Sequence, residues 1–150
     1  MRTGDHAPDF TLRDHRGLPF HLGDALADGP VVLFFYPAAG SAGCTAESCH
    51  FRDLAAQFAD AGAQRVGVSM DGVERQASFA DANALDYPLL ADVGGHVAAA
   101  YGVKRPLDLL RVRRTTFVID VDRRILEKIT GEFSMNAHAD RALAALAARA

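Results

Sequence analysis

The sequence predicts an α/β fold with a mixed central sheet, helices on both of its faces and an N-terminal β-hairpin. Three observations carry this expectation. Val31-Val32-Leu33-Phe34-Phe35-Tyr36 is an unbroken apolar run, as a strand covered on both faces requires. The period changes after Cys44, where Phe51, Leu54, Ala55 and Phe58 fall at i, i+3, i+4 and i+7 along one helical face. The chain then closes on two apolar segments and a helix, an ending that a purely parallel doubly wound sheet would not have.

In chain order, Phe10-Thr11-Leu12 and Leu18 to Leu22 flank Asp14-His15-Arg16-Gly17 as a hairpin. Asp28-Gly29-Pro30 is a turn into the Val31–Tyr36 strand, and Pro37 to Gly43 is a loop of small residues. A helix follows from Cys44 to about Ala61, with Gly62 suited to its end. Arg65 to Met70 reads as a strand, and Val73 to Leu85 as a helix opened by Asp71. Tyr87-Pro88-Leu89-Leu90 is a short extended piece, whose proline places it at an edge or at a strand start. Val97 to Tyr101 is a short helix closed by Gly102. Thr115 to Asp120 and Ile125 to Thr130 form a hairpin about Val121–Arg124, and His138 to Arg149 carries Ala139, Leu143 and Leu146 on one helical face. The order hairpin, βαβ, helix and connection, ββα is that of the thioredoxin-like architecture.

At 150 residues the chain has the length of one ordinary domain, taken as 1–150. A hydrophobic fraction of 49% and a charged fraction of 23% exclude disorder and collagen-like order. The longest apolar run is far short of the roughly 20 residues of a membrane span. A net charge of −3 gives no basic footprint for nucleic acid. Met1-Arg2-Thr3-Gly4-Asp5 lacks the apolar core of a signal peptide, so the expected compartment is the cytoplasm. In a reducing compartment, two cysteines five apart read as catalytic or redox-active rather than as a structural staple.

Cys44 follows a strand, a small-residue loop and Gly43, and opens a helix. A helix N-terminus carries roughly +0.5 charge and free N–H groups, both of which favour thiolate over thiol. Thiols so placed titrate from about 3.5 to about 7.5 instead of near 8.5. The plainer reading, a small buried cysteine packing as a hydrophobe, competes with this.

The block Phe34-Phe35-Tyr36-Pro37-Ala38-Ala39-Gly40-Ser41-Ala42-Gly43-Cys44-Thr45-Ala46-Glu47-Ser48-Cys49 resembles the active-site segment of the peroxiredoxins, most closely the bacterioferritin comigratory protein or peroxiredoxin Q subfamily. That family carries Pro-x-x-x-Thr-x-x-Cys with a second cysteine five residues on. Arg114-Thr115-Thr116-Phe117-Val118-Ile119-Asp120 is similar to its later Arg-Ser/Thr-Thr-Phe-x-Ile-Asp strand, and the element order agrees along essentially the whole chain. The resemblance implies a thiol-dependent peroxidase acting on hydrogen peroxide and small organic hydroperoxides, recycled by a thioredoxin-type reductant, with no metal or organic cofactor. It makes Cys44 the peroxidatic cysteine, Cys49 the resolving one and Arg114 the catalytic arginine. Ser41 stands in the place of the family's threonine, Pro37 in that of its proline, and Glu47 at a position that orients the arginine. A monomer or weak homodimer is implied, with neither membrane nor nucleic acid as partner.

The chemistry needs these residue types. Attack of a thiolate on an O–O bond spreads charge over sulfur and both oxygens, and fixed donors aimed at that charge lower the barrier. A guanidinium supplies permanently charged planar donors. The Ser41 hydroxyl and the N–H groups of Gly43 and Cys44 are further candidate donors. If the strand from Thr115 pairs antiparallel with Val31–Tyr36, its entry lies beside Pro37, which brings Arg114 to the Cys44 loop. Two departures from the family pattern stand out: Ser41 lacks the methyl that restricts threonine, and Ala42 replaces a common loop proline, which predicts a more mobile loop.

Five helical residues rise about 7.5 Å and turn about 140° past one full turn, which sets the two Cα atoms roughly 8.7 Å apart. A disulfide needs less than about 7 Å. Either the pair never bonds or the first turns of the helix unwind; the resolving role implied for Cys49 requires the second.

Other features have plainer readings. His50 reads as a solvated helical histidine, and no Cys-x₂-Cys or His-x₃-His spacing supports zinc. Lys104-Arg105 with Arg111-Val112-Arg113-Arg114 reads as a solvated or docking face. Phe10, Tyr36, Phe51 and Phe79 read as core and pocket wall. Two rival functions remain on the same fold. One is a disulfide oxidoreductase, disfavoured by Cys-x₄-Cys and by Arg114-Thr115-Thr116 where such proteins place a cis-proline. The other is a non-catalytic interaction or chaperone module, disfavoured by both cysteines and Arg114.

Overall fold

A computed structural model of the chain describes residues 1–106, 111–132 and 134–149. Among the described residues, seven strands form one mixed sheet: β1 (Thr11–Asp14), β2 (Pro19–His21), β3 (Val31–Phe35), β4 (Gln64–Ser69), β5 (Leu89–Ala91), β6 (Thr115–Ile119) and β7 (Ile125–Thr130). Their spatial order is β2-β1-β5-β4-β3-β6-β7. β3 pairs parallel with β4, and β4 with β5; every other pairing is antiparallel. The helices are α1 (Leu22–Ala25), α2 (Ala42–Asp53), α3 (Ala55–Asp60), α4 (Val73–Ala82), α5 (His96–Ala100) and α6 (Met135–Ala147), with a 3₁₀ turn at Leu26–Asp28.

The apolar run that predicts β3 divides by the period of two into two cores. Val31, Leu33 and Phe35 point to one face and pack with Leu22, Val97, Tyr101 and Phe117. Val32, Phe34 and Tyr36 point to the other and pack with Cys44, Phe51, Phe58, Phe79, Ala139 and Leu146. The second face is thus covered by α2, α3, α4 and α6, the first by α1 and α5. Phe34 stacks on Phe51 at 4.1 Å between ring centroids, which fixes α2 over the centre of the sheet. At Gly67 on neighbouring β4 a Cβ would stand 2.8 Å from Leu89 and 3.0 Å from the Phe34 ring, so only glycine lets this layer close.

Several sequence expectations shift. The helix from Cys44 to Ala61 is two helices broken at Leu54 (φ −95°, ψ 20°). The Phe51 carbonyl, which a continuous helix would bond to residue 55, is taken by the Arg65 guanidinium at 3.0 Å. Asp71 does not open α4: Gly72 is the capping position, and the Asp71 carboxylate turns inward. α4 ends at Ala82, three residues before Leu85, where the Asn83 side chain bonds back to the Phe79 carbonyl at 3.0 Å. β5 lies inside the sheet between β4 and β1, with Pro88 just before it, which is the strand-start alternative. α6 begins at Met135, a turn earlier than the apolar stripe suggests. α1 is too short to show a period and is seen only in the structure; His21 caps it, its Nδ1 accepting the Asp24 N–H at 3.3 Å.

Candidate active site

β3 ends at Phe35, and its last ladder partner on β6 is Thr115. The residue before Thr115, Arg114, is thereby delivered to the loop that leaves β3. That loop, Pro37 to Ser41, turns through Gly40 at φ +88°, a conformation suited to glycine. Ser41 then caps α2: its Oγ accepts the Cys44 N–H at 3.3 Å and donates to the Ala38 carbonyl at 3.2 Å. Cys44 is therefore the third residue of a capped twelve-residue helix.

The Arg114 guanidinium lies between two groups of α2. Its Nη2 donates to Cys44 Sγ at 3.3 Å, and its Nη1 donates to Glu47 Oε1 at 2.7 Å. One turn of helix separates these acceptors, so a single planar fork meets both. Arg114 is 5% exposed and Glu47 fully buried. Burial raises the Glu47 carboxyl to about 7, against the opposing pull of Arg114. The guanidinium is held above its ordinary value: Glu47 and Cys44 outweigh the burial that works the other way.

Cys44 itself has no exposed surface. Its neighbour Gly43 lies under Arg114 and Met135: a Cβ there would meet Arg114 Nη2 at 3.3 Å and Met135 Sδ at 3.5 Å.

The structure thus brings Cys44, Ser41, Glu47 and Arg114 together. Pro37 heads the same loop, its carbonyl 3.5 Å from Arg111 Nη1. Two expected donors are already engaged: the Cys44 N–H donates to Ser41 Oγ, and the Ser41 hydroxyl donates to the Ala38 carbonyl. Cys49 is not beside Cys44. It sits further along the intact α2, half-buried, its thiol donating to Asn83 Oδ1 at 3.6 Å, and both cysteines are free thiols.

Residues invisible in the sequence pattern complete the site. His138 on α6 is 1% exposed, with Nδ1 2.7 Å from Thr116 Oγ1 and 3.5 Å from Glu47 Oε2. Glu132 accepts the Arg114 backbone N–H at 3.2 Å and an Arg105 guanidinium N–H at 3.0 Å. Asp71, buried, accepts from the Ala39 N–H at 2.8 Å, from Ser69 at 2.7 Å and from Arg111 at 2.9 Å. These bonds hold its carboxyl below the usual range although burial opposes them. Of the basic cluster, Arg105, Arg111 and Arg114 each turn to a carboxylate, whereas Lys104 and Arg113 stay exposed. His50 likewise pairs with Asp140 of α6 at 2.8 Å rather than standing free in water. Among the described residues no group of three or more His, Cys, Asp or Glu is placed to hold a metal ion.

Residues 3–128 match the AhpC/TSA family. A peroxiredoxin of Mycobacterium tuberculosis is 59% identical over 150 residues, covering 99% of this chain and 97% of its own length. The crystal structure of peroxidoxin BcpB from Mycobacterium tuberculosis superposes with a TM-score of 0.95 at 58% identity, covering 100% of this chain and 99% of that one. The bacterioferritin comigratory protein of Xanthomonas campestris, solved for its alkyl peroxide reduction activity, superposes with a TM-score of 0.84 at 28% identity over 93% and 90% of the two chains.

Proposed function

The chain belongs to the AhpC/TSA family, among the peroxiredoxins of the Q or bacterioferritin comigratory type, and from that premise we propose how its residues divide the work of a thiol-dependent peroxidase. Cys44 is the peroxidatic cysteine. Its thiolate attacks one oxygen of a hydrogen peroxide or small organic hydroperoxide; the S–O bond forms as the O–O bond breaks. The other oxygen leaves as water or alcohol once it has gained a proton. The sulfur, oxidised by two electrons, becomes a sulfenic acid. Cys49 then attacks that sulfur, water leaves, and an intramolecular disulfide forms. A dithiol reductant of the thioredoxin type returns both thiols by exchange.

The observation that carries this reading is the Arg114 fork, with one arm on Cys44 Sγ and the other on Glu47. It sets a fixed positive charge where negative charge develops in the transition state. Glu47 aims the fork, Ser41 caps the helix that carries the sulfur, and Pro37 begins the loop around it. The Ser41 hydroxyl can also turn from Ala38 to an incoming oxygen. A single sheet drawing strands from residues 11 to 130 supports a single domain over 1–150. No described helix is long and apolar enough to cross a membrane, and a cytoplasmic monomer or weak homodimer fits this reading.

Stopped-flow oxidation by hydrogen peroxide tests the roles. Wild type reacts far faster than free cysteine, and Cys44→Ser does not react. Cys49→Ser completes the first oxidation but forms no intramolecular disulfide. Arg114→Lys keeps the charge but loses the fork, and slows the first step roughly 10²–10³-fold. A wild type no faster than free cysteine, or an unaffected lysine variant, would remove these assignments.

A further inference from the structure

Glu47 offers two oxygens, and only one is used. Oε1 accepts from Arg114; Oε2 is buried, lacks a hydrogen-bond partner, and faces His138 Nδ1 at 3.5 Å. A charged oxygen buried without a donor is costly. The imidazole opposite is oriented from its far side. His138 Nε2 lies 2.9 Å from the Gly131 carbonyl, which can only accept, so Nε2 carries hydrogen. Nδ1 lies 2.7 Å from the Thr116 hydroxyl, which can donate or accept. A proton held between Oε2 and Nδ1 therefore removes the uncompensated charge from this buried oxygen, while Nδ1 keeps its bond to Thr116.

We propose that His138 is a positioning residue for the peroxidatic step: with Glu47 it forms a buried pair that holds one proton near neutral pH, and so leaves the charge of Arg114 to the Cys44 sulfur. The proposal rests on the roles given above to Cys44 and Arg114. The charged and titratable groups facing the pair are Cys44 from α2, Arg114 at the entry of β6, Glu132 after β7, Arg141 of α6 and Tyr87 before β5. Burial disfavours charge on both members. It raises Glu47 to about 7 and lowers His138, with Arg114 and Arg141 adding to the latter, so the proton resides chiefly on Glu47. With the proton bound, thiolate, guanidinium and carboxyl sum to zero charge. Without it they sum to −1, and the sulfur shares its cation with a carboxylate.

The test is the pH dependence of the stopped-flow rate with hydrogen peroxide, for wild type, Glu47→Gln and His138→Phe. The wild-type rate falls on the order of tenfold as pH rises through neutrality. Glu47→Gln keeps an uncharged acceptor for Arg114 and loses this decline. His138→Phe leaves Oε2 facing an apolar ring, and the decline moves to higher pH. The imidazole nitrogen NMR resonances of the wild type give a second readout that needs no variant: Nε2 stays protonated while Nδ1 shifts across neutrality. A wild type without the decline, a decline unmoved in either variant, or an Nδ1 resonance that stays still overturns the proposal. A wild type no faster than free cysteine at any pH overturns instead the assignment of Cys44 and Arg114, and this proposal with it.

Discussion

Gly43 shows how narrow the tolerance around the sulfur is. It sits in the first turn of α2 without a positive φ, so alanine fits the backbone and gains up to about 1 kcal/mol of helix propensity. The new methyl group would nonetheless stand 3.3 Å from Arg114 Nη2. That nitrogen bonds Cys44 while Nη1 of the same guanidinium is held by Glu47, so it can retreat only by lengthening its bond to the sulfur. Gly43→Ala is therefore expected to unfold at equal or higher urea concentration while reacting with peroxide several-fold more slowly. Unchanged kinetics would show that the fork has slack. Cys44 is legible from its strand-then-loop context, a local pattern, whereas Arg114 is marked by the family resemblance together with the expected pairing of its strand beside β3. His138, Thr116 and Asp71 are not legible. Each is an ordinary polar residue in sequence, and only packing of α6 on β6 or the inward turn after β4 brings it to the site.

At the scale of elements, α2 is held unevenly. Its later turns are clamped from outside: Tyr87 donates to the Ser48 carbonyl at 2.8 Å, Arg65 to the Phe51 carbonyl, and Arg52 to the Asn83 carbonyl at 2.7 Å. Its start depends on the Ser41 cap and on Arg114. Helix geometry forbids a Cys44–Cys49 bond while the turns between them persist. The disulfide therefore requires the start of α2 to melt and the Cys49–Asn83 contact to break. Amide exchange over residues 43–52 is expected to speed up in the oxidised protein while α3 keeps its protection. Equal protection in both forms, with the disulfide proven by mass, would sink this mechanism. The sequence marked α2 by its apolar face and β3 and β6 by their two-sided apolar runs. It could not mark the break at Leu54, since that follows from the Arg65 guanidinium, fourteen residues beyond the Phe51 carbonyl that it takes, nor α1, whose four residues are too few for a period.

For the whole molecule, the Glu47–His138 pair bears on how stability depends on pH. Glu47 is raised on folding from 4.5 to about 7, so its contribution is fully present below 4.5 and lost as pH rises through about 7. His138 is lowered from 6.5, so its contribution is present above 6.5 and lost as pH falls. Below 6.5, wherever His138 stays uncharged in the fold, the two slopes oppose each other. In the unfolded chain one proton sits on the histidine; in the folded chain one proton sits on the carboxyl. Folding moves that proton and binds none, so the wild-type pair contributes little net slope there. Removing either partner exposes the slope of the other, by up to about 1.4 kcal/mol per pH unit. Measured as urea midpoints relative to wild type, Glu47→Gln is expected to lose stability as pH falls below 6.5. His138→Phe is expected to lose it as pH rises from 4.5 to 6.5. Differences that run parallel for the two variants would mean that folding does not push the two groups in opposite directions, whereas slopes of opposite sign follow if burial raises the carboxyl and lowers the imidazole.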